Sequence, residues 1–270
     1  MAFSCVPLRQ GAVLATLACL VLPGAAQADD LGLRGTITPE IRVFAQSPSG
    51  AKQTNSDLSV SGEVTAKYFF GAGGNHSIVV TPFGRLDQRD HKRTHWDLRE
   101  ARYGLVAGAW EFRVGFDKVF WGVTEAVHLV DVINQADIIE DPIKQEVRLG
   151  QPMVRVRTTQ DFGTFDFFVL PYFRERTYPS ITGRPATDIP VATDLTTYES
   201  GAKARHVDAA VRYSNNFGDI DLGLSYFQGT GRDPILKPAL AAGGALPPRA
   251  RGSIKQRAIG ATSWTSNMKR

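Results

Sequence analysis

Between Leu58 and Phe70 the chain alternates without a break. Leu58, Val60, Gly62, Val64, Ala66, Tyr68 and Phe70 hold the even positions, while Ser59, Ser61, Glu63, Thr65 and Lys67 lie on the odd ones. A period of two puts the two sets on opposite faces of a β-strand. At ~3.3 Å per residue and a tilt of ~40°, such a strand rises a little over ~30 Å, more than the ~25 Å apolar band of a bacterial outer-membrane barrel. Soluble sandwiches use strands of about 5 or 6 residues. Strand length therefore favours a segment that crosses a membrane over one in a soluble core.

The alternation recurs in Leu33 to Ala45, Trp110 to Phe116, Phe165 to Phe173, Val207 to Tyr213 and Ile220 to Tyr226, and more weakly in Ser77 to Asp87 and Met153 to Asp161. Trp96 to Ala107 is a strand with a phase slip, since Glu100 and Arg102 share a face with Trp96 and Leu98 unless a bulge intervenes. Ser253 to Trp264 is a last candidate that barely alternates. Short turns rich in Gly, Asn and Asp, at 71–75, 108–109, 161–163 and 215–219, alternate with longer loops at about 46–57, 87–95, 118–151, 175–205 and 228–252. Short turns at one end and long loops at the other are expected of an outer-membrane barrel with its short ends in the periplasm. Tyr68, Phe70, Trp110, Phe112, Phe165, Phe167, Tyr213 and Phe217 cluster near the short turns, where an aromatic girdle would sit. The fold expected is an all-β antiparallel transmembrane β-barrel of about ten strands with one long inward-folded loop.

The N-terminus fits export. Arg9 precedes an apolar run from Ala12 to Leu22, then Pro23-Gly24, then Ala26-Gln27-Ala28, an A-x-A cleavage site. The run is about half of the ~20 residues a membrane-spanning helix needs. A lipoprotein signal at Leu17-Ala18-Cys19 is the competing reading, with Thr16 where such signals usually carry Leu. Residues 1–28 are thus expected to be a signal peptide read by the Sec pathway, and 29–270 an outer-membrane barrel. Cys5 and Cys19 both lie in that signal, which leaves the mature part without a disulfide or a Cys-based metal site. Removing Arg9 takes the net charge from +4 to near +3, too diffuse to imply nucleic acid.

If the apolar faces meet lipid, the opposite faces line a lumen carrying Arg34, Glu40, Arg42, Glu63, Lys67, Arg85, Glu111, Arg113, Arg155, Arg157, Asp166, Arg174, Asp208, Arg212 and Asp221. Basic residues outnumber acidic ones in that set, so a conducting pore would favour anions modestly. Arg42, Arg113, Arg155, Arg157 and Arg212 are the candidate wall charges. The alternative fate of each is an ion pair that merely fills the barrel.

The segment 118–151 is too long and too apolar to extend freely into water. It is expected either to fold inward and constrict the lumen or to cap the rim. The runs Trp96-Asp97-Leu98-Arg99-Glu100-Ala101-Arg102-Tyr103, Val114-Gly115-Phe116, Phe120-Trp121-Gly122 and Asp131-Val132-Ile133-Asn134-Gln135-Ala136-Asp137 resemble a family of porin-like outer-membrane proteins of proteobacteria, largely of unknown function. The resemblance covers about residues 33 to 230 and implies an outer-membrane barrel with Trp121, Gly122, Asp131, Asn134 and Asp137 in its characteristic loop. Glu140 is a further acidic candidate there. Two features depart from the pattern: Gln135 stands where the family usually has Pro, and the chain ends Trp264-Thr-Ser-Asn-Met-Lys-Arg270 rather than on a strand with a terminal aromatic residue. The family barrel is also longer, so a truncated copy or a barrel of fewer strands is expected.

The leading functional expectation is passive passage of small polar or anionic solutes. A plugged transport barrel for hydrophobic compounds, favoured by inward Phe69, Phe83 and Phe168, and a non-functional truncated copy are the alternatives. An enzyme is not expected, since G-x-S-x-G is absent and only Asn75-His76-Ser77 and His206 to Asp208 bring polar groups together. No catalytic residue, cofactor or metal is expected, His91 and His95 reading as solvated. Expected partners are outer-membrane lipid, the barrel-assembly machinery, small solutes and further copies of the chain in a homo-oligomer.

Overall fold

A computed structural model describes residues 31–48, 52–121, 131–141, 147–184, 186, 191–218, 220–239, 249–254 and 256–266, with side chains as far as 237. Residues 1–28, expected to be a signal, and Gly122 lie outside the described residues, as does most of the apolar stretch from Ala126 to Ile133. The strands are β1 (Leu31–Val43), β2 (Ser56–Phe70), β3 (His76–Asp87), β4 (His95–Ala107), β5 (Trp110–Asp117), β6 (Gln151–Gln160), β7 (Gly163–Leu170), β8 (Val191–Tyr198), β9 (Asp208–Phe217), β10 (Ile220–Thr230), β11 (Ile235–Ala239), β12 (Arg249–Ile254) and β13 (Gln256–Ser266).

Ten of them form one antiparallel sheet in the order β1-β2-β3-β4-β5-β6-β7-β9-β10-β13. Nine of the ten segments expected from alternation lie in it, and most of the tenth does. The β1–β2 ladder runs unbroken from Leu31 opposite Tyr68 to Val43 opposite Ser56. The phase slip in β4 is a bulge: Thr81 faces Glu100 but the next residue, Pro82, faces Leu98, so Arg99 is the extra residue. The bulge lets Asp97, Arg99, Glu100 and Arg102 turn to one face while Trp96 stands 83% exposed on the other. Nearby, Gly115 has φ +127°, and a Cβ there would lie 2.1 Å from the Ala101 carbonyl oxygen, so only glycine fits this crossing of β4 and β5.

Three strands were not visible in the sequence. β8, β11 and β12 form a second small sheet in the order β11-β12-β8, with β12 parallel to β8. They belong to the long links after β7 and after β10. The last expected strand, Ser253 to Trp264, is therefore divided, its first residues pairing in β12 and the rest in β13.

The large sheet curls. Arg42 near the end of β1 donates to the Glu140 carbonyl (2.9 Å), and Arg232, just past β10, donates to the Ile133 carbonyl (2.9 Å). Eight strand steps separate β1 from β10 in the sheet order, which is ~38 Å if flat at ~4.8 Å per step. The seven residue steps from Ile133 to Glu140 span at most ~25 Å when extended, and residues 138–140 are a turn. Arg184, in the link after β7, likewise reaches Gln46 O (3.2 Å) and Thr54 O (3.3 Å) in the β1–β2 loop. No ladder joins β1 to β13 among the described residues, so the sheet is not closed there.

The two faces differ as the alternation demands. Leu33, Ile37, Leu58, Val60, Val64, Ile78, Val114, Val154, Val169 and Leu224 are exposed on the convex side. Arg42, Ser61, Thr81, Arg85, Arg155, Asp166 and Asp208 are buried on the concave side. At the short-turn end the aromatics touch one another: Tyr68 stacks with Phe70 (5.5 Å), Phe70 with His76 (5.0 Å) and Phe165 lies 5.0 Å from Tyr213. Tyr213 also donates its hydroxyl to the Phe162 carbonyl (2.7 Å).

Candidate functional site

The segment between β5 and β6 folds onto the concave face, as one of the two sequence expectations held. Its base is stitched by Asn134, which is almost wholly buried. The Asn134 amide oxygen accepts from the Val119 N–H (2.8 Å), and its Nδ2 donates to the Asp117 (2.9 Å) and Leu149 (3.0 Å) carbonyls. One side chain thus joins the outgoing chain, the loop and the returning chain. Asp131 accepts the Trp121 N–H, and Leu149 and Asp137 donate backbone N–H groups to Gln135 O (2.9 Å) and Val147 O (2.9 Å). Gln135 is itself buried, and its Oε1 accepts from Arg176 (3.1 Å) and from the Ala136 N–H (3.0 Å). Side-chain bonds fix the turn here without a proline.

One flank of the loop is apolar. Val119, Trp121 and Ile133 pack with Met153, Phe168, Leu170, Ala210 and Phe227 from four different strands. Trp121 meets Phe168 edge-on at 5.4 Å, and each such buried side chain stabilises the docked loop by ~1.5–3 kcal/mol. Arg212 on β9 lies 5.5 Å above the Trp121 ring and donates to its carbonyl (2.9 Å).

The tip is ionic. Arg85 on β3 holds both Glu140 oxygens (3.0 and 2.9 Å from Nε), His95 lies 3.7 Å and Arg99 3.9 Å from that carboxylate, and Arg93 donates to the Ile139 carbonyl (3.2 Å). Glu40 joins the cluster by accepting from Arg42, Arg85 (3.0 Å) and Arg93 (3.0 Å). Burial disfavours the Arg93 charge, but Glu40, Asp87 and Glu140 around it more than compensate and raise its pKa. Burial, and then the neighbouring Glu140, push the Asp137 carboxyl up; its Oδ1 accepts from the Thr177 hydroxyl (2.9 Å).

The five wall arginines all lie on strands lining the concave face, and all are engaged. Arg42 and Arg212 hold the loop. Arg155 and Arg157 share Asp166 (2.7 and 2.8 Å), and Arg113 pairs with Glu111 and with Asp117 (3.5 Å). The structure also adds acids that the alternation left out of the lumen: Asp57 and Asp117 are buried, Asp87 pairs with Arg93 (2.7 Å) and Asp97 with Arg174 (2.8 Å). These offset the basic excess counted from the strands. Arg93 and Arg99 were missed too, the first in a loop and the second behind the bulge. The Asp208 carboxylate, contacted by His206 (2.8 Å), is taken by Thr230 N (3.0 Å) and Arg232 (2.9 Å) and sits against Gly229, where a Cβ would lie 2.2 Å from its Cγ.

Two polar cavities flank the docked loop. One, of about 520 Å³, is lined by β1 to β4 residues such as Thr36, Thr38, Ser61, Glu63 and Arg99, with Glu140 and Asp141 of the loop. The other, of about 480 Å³ toward the short turns, is lined by Thr159, Gln160, Thr164, Ser214, Asn215 and Asn216 with Arg212 and Asp221. No family model, curated protein or solved structure matches the chain.

Proposed function

We propose that the chain is an exported outer-membrane protein whose sheet closes into a porin-like barrel and passes small polar solutes beside the inner loop. The observation that carries this is the inverted partition of the sheet. Charged and hydroxyl side chains fill the concave face, while aliphatic residues cover the convex one. Water tolerates so continuous an exposed apolar surface poorly, and lipid favours it. The girdle at the short-turn end and the long loops at the other end have the same explanation. Residues 1–28 supply the export signal in this reading, and the resemblance of the Trp121 and Asp131 to Asp137 elements to porin-like proteins points the same way.

Parity permits closure. In a meander of ten strands the last runs antiparallel to the first, so the edges of β1 and β13 are oriented to pair. Lipid makes that pairing strongly favourable, since each unpaired backbone group there costs several kcal/mol. The plugged-barrel reading for hydrophobic compounds has less support. Trp121 and Phe168 are engaged in anchoring the loop, and most residues lining the two larger cavities are polar, with Phe83 and Val147 in one and Leu222 in the other. The test is conductance of the refolded protein in planar bilayers. Stepwise currents support the channel; none from heat-modifiable, folded protein refutes it.

A further inference from the structure

We infer that the passage prefers cations, and that Glu63 is the residue that sets the preference. The inference rests on the channel reading above and names the solute class for it. The cavity beside the loop tip brings four carboxylates, Glu40, Glu63, Glu140 and Asp141, together with three guanidiniums, Arg42, Arg85 and Arg99. Along the lining the acids exceed the bases by one; Arg93, which also holds Glu40, lies behind it with 3% of its side chain exposed.

Exposure sharpens that balance. Arg85 and Arg42 keep only 7% and 9% of their side chains accessible, since Glu40 and Glu140 hold them. Arg99 lies flat on the Phe83 ring at 3.7 Å, which covers one face of its guanidinium. Glu63 retains 33%, against 18% for its partner Arg99. Arg99 takes only the Glu63 Oε2 (3.0 Å). A solute in this cavity therefore meets a carboxylate first. A fixed charge on a narrow low-dielectric wall raises the local concentration of counter-ions, so an ammonium or a metal cation is admitted more readily than a carboxylate or phosphate. The second cavity does not oppose this, because its single base, Arg212, is matched by Asp221 and donates to the Trp121 carbonyl.

The experiment is the zero-current potential of the full chain in planar bilayers under a tenfold potassium chloride gradient. The expected sign is that of potassium passing more readily than chloride. Glu63→Gln should lower the cation-to-anion permeability ratio about threefold or more, and Arg99→Gln should raise it, as expected for one wall charge at short range. Because Arg99→Gln moves the ratio the opposite way, a generally damaged barrel cannot mimic the pair of results. Chloride preference, or no preference, in a conducting wild type overturns the inference and leaves the channel standing. A ratio unchanged in both variants overturns the role of Glu63. Absence of current from folded protein overturns the channel and this inference with it.

Discussion

Arg85 and Glu140 lie 55 positions apart, one in the third strand and the other at the tip of the inner loop, yet they form a buried two-oxygen ion pair. The pair joins the loop to the wall opposite its apolar anchor on Phe168. Both attachments lie on the concave side, and a cavity opens beside Glu140 and Asp141 at the loop tip. Position of the loop, rather than the list of wall charges, sets what room is left on the concave face.

Replacing Glu140 with Ala should free the tip. Arg85 keeps Glu40 but loses its nearer partner, and removing one member of a buried pair costs ~3 kcal/mol or more. Limited proteolysis in detergent should then cut within 131–149 faster than in the wild type, and single-channel conductance should rise. Unchanged cleavage and conductance would show that the pair does not hold the loop.

Trp121→Ala should act from the other side. It removes the ring that packs on Phe168 and under Arg212, with an expected loss of ~3–5 kcal/mol. The temperature at which the folded form converts to the unfolded form on a gel should fall by several degrees. Trp121→Phe should recover most of that loss, because the apolar contact survives.

The strands were legible and the clamps were not. Leu58 to Phe70 alternates so regularly that its faces could be assigned from sequence, and the slip at Glu100 pointed to the bulge that places Arg99 inside. β8, β11 and β12 were missed because Val191–Tyr198 does not alternate, Arg249–Ile254 is mostly polar, and Ile235–Ala239 contains Pro238; their pairing is long-range and partly parallel. Asn134, Asp131 and Asp137 were recognised as loop residues from resemblance, but their work of binding Asp117, Trp121 and Thr177 depends on contacts that spacing does not encode. Some inner charges were overlooked for a related reason: Asp57, Asp87 and Asp117 stand at strand ends, where face assignment by parity is weakest, and Arg93 and Arg99 lie in a loop and at a bulge.

Asp137 gives the loop a pH dependence. Its carboxyl has a higher pKa folded than unfolded, so ionisation costs the docked loop more than the free chain. Its contribution is best below the unfolded value of ~3.9 and is lost as pH rises through the raised folded value. Asp137→Asn keeps an oxygen for Thr177 and removes the charge. At pH 7 the variant's loop should resist protease better than the wild type's, and the difference should shrink at pH 4. Equal protection at both pH values would contradict the assignment.

The most direct test of the inverted sheet is a cysteine scan along β2 in the refolded segment 29–270, which has no cysteine of its own. A fluorophore is attached in turn at positions 58 to 64 and quenched with brominated lipid or with a water-soluble quencher. The account predicts lipid quenching at Leu58, Val60 and Val64 and aqueous quenching at Ser59, Ser61 and Glu63. Aqueous quenching at every position would contradict it and return the chain to a soluble β-sheet protein.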